Sequence, residues 1–128
     1  MIPTTPKRIV LLSPQVGEIV AHHTELGEIV GEFYQLPGGE IYFSYREKAP
    51  RRWYVNQSLA AFHKSAAIFN RFCDLHAHDE DTDDAAAWSV AVSQLKHDLE
   101  EIESLGDPET SLWSATVHDT EWGLLSLY

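Results

Sequence analysis

The chain has 128 residues, of which 44% are hydrophobic, and a formal net charge of -11, which is the size of one globular domain. No apolar run approaches the roughly 20 residues of a membrane-spanning helix, so we do not expect this chain to be a membrane protein. The negative charge disfavours nucleic acid and anionic lipid as partners, and a single cysteine, Cys73, excludes an internal disulfide and fits a reducing cytoplasm.

The N-terminal half has the composition of β-strands. Residues 28–34 and 40–46 are rich in β-branched and aromatic side chains, and a proline-glycine turn sequence at residues 36–39 separates them. We predict a hairpin there, with a third strand through residues 52–55. The short apolar stretches at residues 9–12 and 16–20 are two further strand candidates.

The C-terminal half shows helical periodicity. One apolar stripe consists of Leu59, Phe62, Ala66, Phe69 and Cys73, and a second of Trp88, Val92, Leu95, Leu99 and Ile102. These stripes predict one helix that begins at an N-cap on Asn56 and another that runs from Asp84 to a C′ glycine at Gly106. The Asp107-Pro108 step predicts a short third helix over residues 108–113. The sequence therefore predicts an α+β fold, in which an antiparallel sheet from the N-terminal half packs against two or three helices from the C-terminal half.

The charge is distributed unevenly along the chain. Residues 74–109 contain twelve acidic residues and one basic residue, Lys96, whereas the remainder contains eight of each kind. A basic protein surface would be attracted to such a segment and steered towards it. The alternative is that these acidic residues only keep a small protein soluble.

The densest acidic cluster, residues 76–84, carries two imidazoles and five carboxylates. A calcium loop that starts at Asp79 would need glycine where the chain has Asp84 and glutamate where it has Val90. A zinc site on His76 and His78 would need a third ligand that no spacing selects. The cluster is therefore interpreted as a solvated loop between two helices, and no metal or other cofactor is expected.

Catalytic motifs are missing from the sequence. It has no P-loop, no dinucleotide-binding glycine pattern, no nucleophile elbow and no zinc-protease helix. Cys73 lies on an apolar stripe, where burial would make its thiol unreactive. Four basic residues beside aromatic ones are a candidate for weak nucleic-acid contact or for a charged strand edge: Arg46, Lys48, Arg51 and Arg52. We expect a binding protein and not an enzyme.

The third predicted strand passes into the first predicted helix through the stretch Trp53-Tyr54-Val55-Asn56-Gln57-Ser58-Leu59-Ala60-Ala61-Phe62. This stretch resembles the strand-to-helix junction of the SUKH immunity-protein superfamily, most closely its fourth subfamily. The order of features around this stretch is also similar to that family. These features are the preceding hairpin, the acidic break, the long second helix, the Asp107-Pro108 step, Trp113 and the closing apolar residues 122–125. The similarity covers residues 27–127. We treat residues 1–128 as one domain in which residues 1–26 correspond to a shortened N-terminal region.

The resemblance implies an immunity protein that neutralises a cognate bacterial toxin, often a nuclease or a nucleic-acid deaminase. Such a toxin needs a cationic substrate cleft, and an acidic surface can occupy that cleft in place of phosphate groups. We expect the protein to be a monomer when free, with no nucleic acid or membrane partner. The predicted toxin-binding residues are Asp79, Glu80, Asp81, Asp83 and Asp84, with a second acidic face of Glu100, Glu101 and Glu103.

Two other functions are open at this point. A secretion chaperone or adaptor would hold an extended segment of an effector in an apolar groove and would be a homodimer. A small metal-dependent hydrolase would be built on His76 and His78.

Overall fold

A computed structural model of the chain describes residues 7–12, 19–46, 52–76 and 85–121, and the fold is given for these ranges. Five strands form one antiparallel sheet in the order in which they follow along the chain. They are β1 (Arg8–Leu11), β2 (Ile19–Glu25), β3 (Glu28–Gln35), β4 (Ile41–Tyr45) and β5 (Trp53–Asn56). Three helices follow: α1 (Leu59–His76), α2 (Ala85–Ile102) and α3 (Leu112–Glu121). The predicted α+β fold is confirmed.

The core lies between one face of the sheet and the helices. Because side chains alternate between the two faces of a strand, Phe33 and Phe43 share the inner face of β3 and β4, with ring centroids 4.7 Å apart. Phe62 of α1 packs on Phe33 at 4.8 Å. Gly31 lets the Phe43 ring lie on the backbone of β3, since a Cβ atom at residue 31 would be 2.3 Å from that ring. The predicted hairpin of β3 and β4 is confirmed, as is the strand β5.

The hairpin of β2 and β3 was not predicted. Its two-residue turn, Leu26-Gly27, has positive φ values of 51° and 81°, as a two-residue hairpin turn with the matching twist requires. Glycine adopts this conformation freely, whereas Leu26 does so at a steric cost and is 58% exposed. The first position of the turn is therefore occupied by leucine, where a two-residue hairpin turn favours asparagine, aspartate or glycine.

Both edges of the sheet are occupied by other parts of the chain. The side-chain amide of Asn70, on α1, accepts a hydrogen bond from the Ile9 N–H at 2.7 Å and donates one to the Ile9 carbonyl at 2.9 Å. At the opposite edge, the Tyr54 N–H donates to the Thr110 carbonyl at 3.0 Å. These bonds satisfy backbone groups that an open edge would offer to another strand.

Helix α1 buries the predicted apolar stripe from Phe62 to Cys73, which has 0% exposure, and Leu59 at its start is partly buried. Its predicted start at Asn56 is wrong. Ser58 is the N-cap, because its Oγ accepts the Ala61 N–H at 3.2 Å. Asn56 ends β5 instead, and its buried amide accepts a hydrogen bond from the Trp113 indole N–H at 2.9 Å. The side chain that was expected to cap the helix links the sheet to α3.

The predicted ends of the later helices also differ from the structure. Helix α2 ends at Ile102, before Gly106, which has no positive φ and is not a C′ residue. Residues 108–110 form a turn, and the Asp107 carboxylate accepts the Glu109 N–H at 2.8 Å. The third helix therefore starts only at Leu112 and extends to Glu121. Among the described residues, no helix combines the length and apolar character needed to cross a bilayer.

Candidate functional site

The predicted site consists of acidic residues in two groups, and the structure describes one of them. Asp79, Glu80, Asp81, Asp83 and Asp84 lie outside the described residues. They connect α1 and α2 along the chain, as predicted, and their contacts are not described.

Two residues of the second predicted group lie on the exposed surface of α2. Glu101 has a side-chain exposure of 67%, and its carboxylate is 3.0 Å from the Nε2 atom of His97. Glu100 is also exposed, as are Asp107 and Glu109 in the segment after the helix. We call these four carboxylates, Glu100, Glu101, Asp107 and Glu109, the acidic patch. Lys96, four residues before Glu100 on α2, is the last lysine or arginine of the sequence.

Glu103 differs from Glu100 and Glu101 in having partners inside the protein. Its Oε2 atom accepts a hydrogen bond from the Tyr54 hydroxyl at 2.5 Å. Its Oε1 atom accepts the Gln57 N–H at 2.9 Å and an N–H of the Asn56 amide at 3.3 Å. Glu103 thus ties the end of α2 to the end of β5. Three bonds hold its carboxylate in place, so its surroundings give it a structural role beside any role in binding.

Three side chains on α2 have the spacing of a metal-binding group. Ligand atoms of His97, Asp98 and Glu101 lie within 4.8 Å of one another. This is the one such group found in the described part of the chain, and it does not include His76. The group is largely exposed, and its members already have partners within the helix, since the Gln94 amide donates to Asp98 at 2.8 Å. We interpret it as a solvated helix face.

Sequence reasoning missed a row of three tyrosines on the outer face of the sheet. Tyr34, Tyr42 and Tyr54 lie on adjacent strands β3, β4 and β5, at cross-strand positions on the face opposite the core. The Tyr34 and Tyr42 ring centroids are 6.4 Å apart, and those of Tyr42 and Tyr54 are 5.7 Å apart. We call these three residues the tyrosine row. In the sequence, each tyrosine occupies a strand position whose side chain points away from the core, but only the register of the strands shows that the three rings are neighbours.

Charged groups surround the tyrosine row. The guanidinium carbon of Arg52 lies 4.7 Å from the centroid of the Tyr42 ring. Burial, the hydrogen bond to Glu103 and the negative charge of Glu40 raise the pKa of Tyr54, so this phenol stays neutral. Arg46 pairs with Glu32 at 3.0 Å. Of the basic residues that were candidates for nucleic-acid contact, Arg46 and Arg52 are thus engaged within the protein, and Lys48 and Arg51 lie outside the described residues.

A second cluster missed by sequence reasoning is buried at the other end of the sheet. The Lys7 ammonium lies 2.9 Å from a Glu25 carboxylate oxygen, with its side chain only 4% exposed. The same oxygen is 3.7 Å from Nε2 of His23. His23 and Lys7 hold the pKa of Glu25 at about 2, and burial lowers the pKa of His23. The adjoining cavity of about 20 Å³ fits one water molecule and is too small for a substrate.

A shallow groove of about 620 Å³ runs between α1 and α2. Its floor is apolar, and Leu75 and Val90 on its walls are 61% and 70% exposed. Arg71 lies on the α1 side and Asp98 on the α2 side. The groove adjoins the end of α1 and the start of α2.

Comparison of the chain with protein-family models, with curated proteins and with solved structures finds no match. The function is therefore argued from the residues and their geometry.

Proposed function

We propose that this protein is a cytoplasmic immunity protein that binds a cognate bacterial toxin, a nuclease or nucleic-acid deaminase, and blocks its basic active site with an acidic surface. The observation that supports this proposal is the acidic patch. Its four carboxylates are exposed on α2 and the segment after it, and no lysine or arginine follows in the sequence. The resemblance of residues 53–62 to the SUKH junction supplies the choice of a toxin as partner.

The mechanism follows from electrostatics. A toxin that attacks nucleic acid holds phosphate groups in a cationic cleft, and carboxylates at similar spacing can take their place. Opposite charge increases the rate of encounter by factors of 10 to about 1,000 at low ionic strength. Glu100 and Glu101 of the acidic patch are held on a rigid element, because the buried residues Leu95 and Leu99 anchor α2 in the core.

The first observation needed is whether the adjacent upstream gene encodes a large secreted protein with a C-terminal toxin domain. The test is protection of cells that co-express such a domain with this protein. We expect the wild-type protein to restore growth and to co-purify with the toxin domain. The charge-neutral variant Glu100→Gln/Glu101→Gln, combined with neutralisation of the five acids in residues 79–84, should protect poorly. Glu28→Gln/Glu121→Gln removes two exposed charges elsewhere, as many as Glu100→Gln/Glu101→Gln alone, and is the control for that pair; it should protect fully. Full protection by the charge-neutral variant would refute the proposed mechanism, and failure of the wild type to protect would refute the proposed function.

A second candidate is a secretion chaperone or adaptor, which the groove between α1 and α2 favours. Exposed Leu75 and Val90 could contact an extended effector segment. The two candidates differ in the state of the partner, because an immunity protein binds a folded toxin and a chaperone keeps its effector partly unfolded. The mass of the free protein in solution and amide exchange of the bound partner separate them: a monomer with a protected partner supports immunity, and a dimer with an exchanging partner supports the chaperone.

A further inference from the structure

The tyrosine row is not needed to close the core. Its three rings lie on the face of the sheet opposite Phe33, Phe43 and the helices that pack on them. Each ring is half-buried, and each is paired with a ring on the neighbouring strand. Cross-strand aromatic pairs stabilise a sheet, but three on an outer face also form a rigid aromatic surface. Tyrosine, like tryptophan and arginine, is enriched in the energetic centres of protein interfaces, and its ring offers contact area at little cost in side-chain freedom.

The surroundings of the row indicate what it can bind. Arg52 places its guanidinium 4.7 Å from the Tyr42 centroid, so a planar cation from within the chain already stacks on one ring of the row. Glu103 bonds to the Tyr54 hydroxyl and Glu40 acts on the same phenol through its charge. A guanidinium stacked on a ring of the row would therefore lie near a carboxylate, and arginine is the side chain that stacks and pairs at once.

The row is also joined to the acidic patch. Glu103 is two residues beyond Glu101, and the Tyr54 N–H donates to the Thr110 carbonyl, which follows Glu109 in sequence. The residue after α2 and the segment that contains Thr110 therefore lie beside Tyr54 at the β5 edge of the sheet. An aromatic surface with carboxylates at its edge has the arrangement of an anchor region with a charged rim.

We propose that the tyrosine row is the anchor of the toxin interface and that it binds arginine side chains of the toxin's basic surface. The inference rests on the proposed function and names the contact surface that the acidic residues alone do not define. A second copy of this chain is a poor occupant, because a two-fold contact would bring the same carboxylates of both copies together. Nucleic acid is repelled by the same carboxylates.

The test uses the intact protein and two peptides of equal charge, nona-arginine and nona-lysine. Both peptides feel the acidic patch, but arginine stacks on aromatic rings more effectively than lysine. Titration of nitrogen-15-labelled protein by NMR should show the arginine peptide shifting the amides of Tyr34, Tyr42 and Tyr54 as well as those of the acidic patch. We expect it to bind about 5-fold more tightly than the lysine peptide, since each stacked ring contributes roughly 2- to 5-fold.

Two paired variants isolate the rings. Tyr34→Thr/Tyr42→Thr keeps residues that favour strands and should reduce the preference for arginine to about 1-fold. Tyr34→Phe/Tyr42→Phe keeps the rings and should retain the preference. Shifts confined to the acidic patch, with equal affinity of the wild type for both peptides, would overturn the inference even if the threonine variant failed to fold. That result would leave the proposed function standing if the wild type still protected cells. Loss of protection alone would refute the function, and with it the toxin as partner, but not the binding of arginine by the tyrosine row.

Discussion

Replacement of Glu103 separates a structural carboxylate from the binding carboxylates next to it in sequence. Glu103→Ala removes the acceptor of three hydrogen bonds, from the Tyr54 hydroxyl, the Gln57 N–H and the Asn56 amide. Glu100→Gln/Glu101→Gln removes two exposed charges from the helix without breaking any of these bonds. We expect the first variant to be destabilised and the second to fold like the wild type.

The magnitude follows from the exposure of each donor. A hydrogen bond to a charged group contributes about 1.5 to 3 kcal/mol to stability. Once the carboxylate is gone, however, the Tyr54 hydroxyl and the Gln57 N–H can bond to water instead. Asn56 keeps Ser65, whose hydroxyl oxygen is 3.3 Å from its amide nitrogen. The expected loss for Glu103→Ala is therefore about 2 kcal/mol in the free energy of unfolding. For a chain of this length, that corresponds to a decrease in Tm of roughly 6 to 12 °C.

The assay is urea unfolding followed by tryptophan fluorescence, with Glu103→Gln as the isosteric control. Glutamine keeps one carbonyl oxygen for the Gln57 N–H, so its loss should be less than half that of alanine. An unfolding free energy of Glu103→Ala within about 0.5 kcal/mol of the wild type, or equal losses for alanine and glutamine, would refute the assigned role of this carboxylate.

Three further predictions concern the sheet. Asn70→Ala should lose about 1 to 3 kcal/mol and speed amide exchange at Ile9, because it removes both bonds at the edge of β1; unchanged exchange would count against this edge contact. Stability should decrease as pH falls in two steps. Below about 6.5 the unfolded chain protonates His23, whereas burial lowers the pKa of His23 in the folded protein. From about 4.5 towards 2 the unfolded chain protonates Glu25, whose pKa in the folded protein is about 2. Equal urea midpoints at pH 7 and pH 4 would contradict this. Leu26→Asn should raise stability by about 0.5 to 1 kcal/mol, since asparagine tolerates positive φ in a two-residue turn; a lower Tm would show that Leu26 has a packing role.

The apolar stripes of α1 and α2 could be predicted because burial enforces their spacing, and Phe62, Val92 and Leu99 are all at most 3% exposed. The strand β2 was identified only at its start. Its inner face carries His23 and Glu25, which look like polar surface residues until the partner Lys7 is known. Local patterns cannot show that a charge is neutralised by a residue 18 positions away.

The predictions of two helix ends were wrong for a related reason. The sequence offered Asn56 as a cap and Gly106 as a terminator, and both suit those positions by local preference. In the fold, Asn56 bonds to Trp113 and α2 stops before Glu103, whose carboxylate bonds to the end of β5. Tertiary hydrogen bonds outweighed local propensity at both places. The sequence grouped Glu103 with Glu100 and Glu101 in one acidic face, but its carboxylate bonds inside the protein, and the tyrosine row depends on strand register.

The measurement that tests the central claim most directly is the rate of association with the toxin domain as a function of ionic strength. The wild type should associate quickly at low salt and slow steeply as salt rises, because the acidic surface steers the encounter. Neutralising Asp79, Glu80, Asp81, Asp83 and Asp84 together should slow association at least about 10-fold at low salt, flatten the salt dependence and leave the circular dichroism spectrum unchanged. If this variant bound at the wild-type rate and still protected cells, the electrostatic account would be wrong.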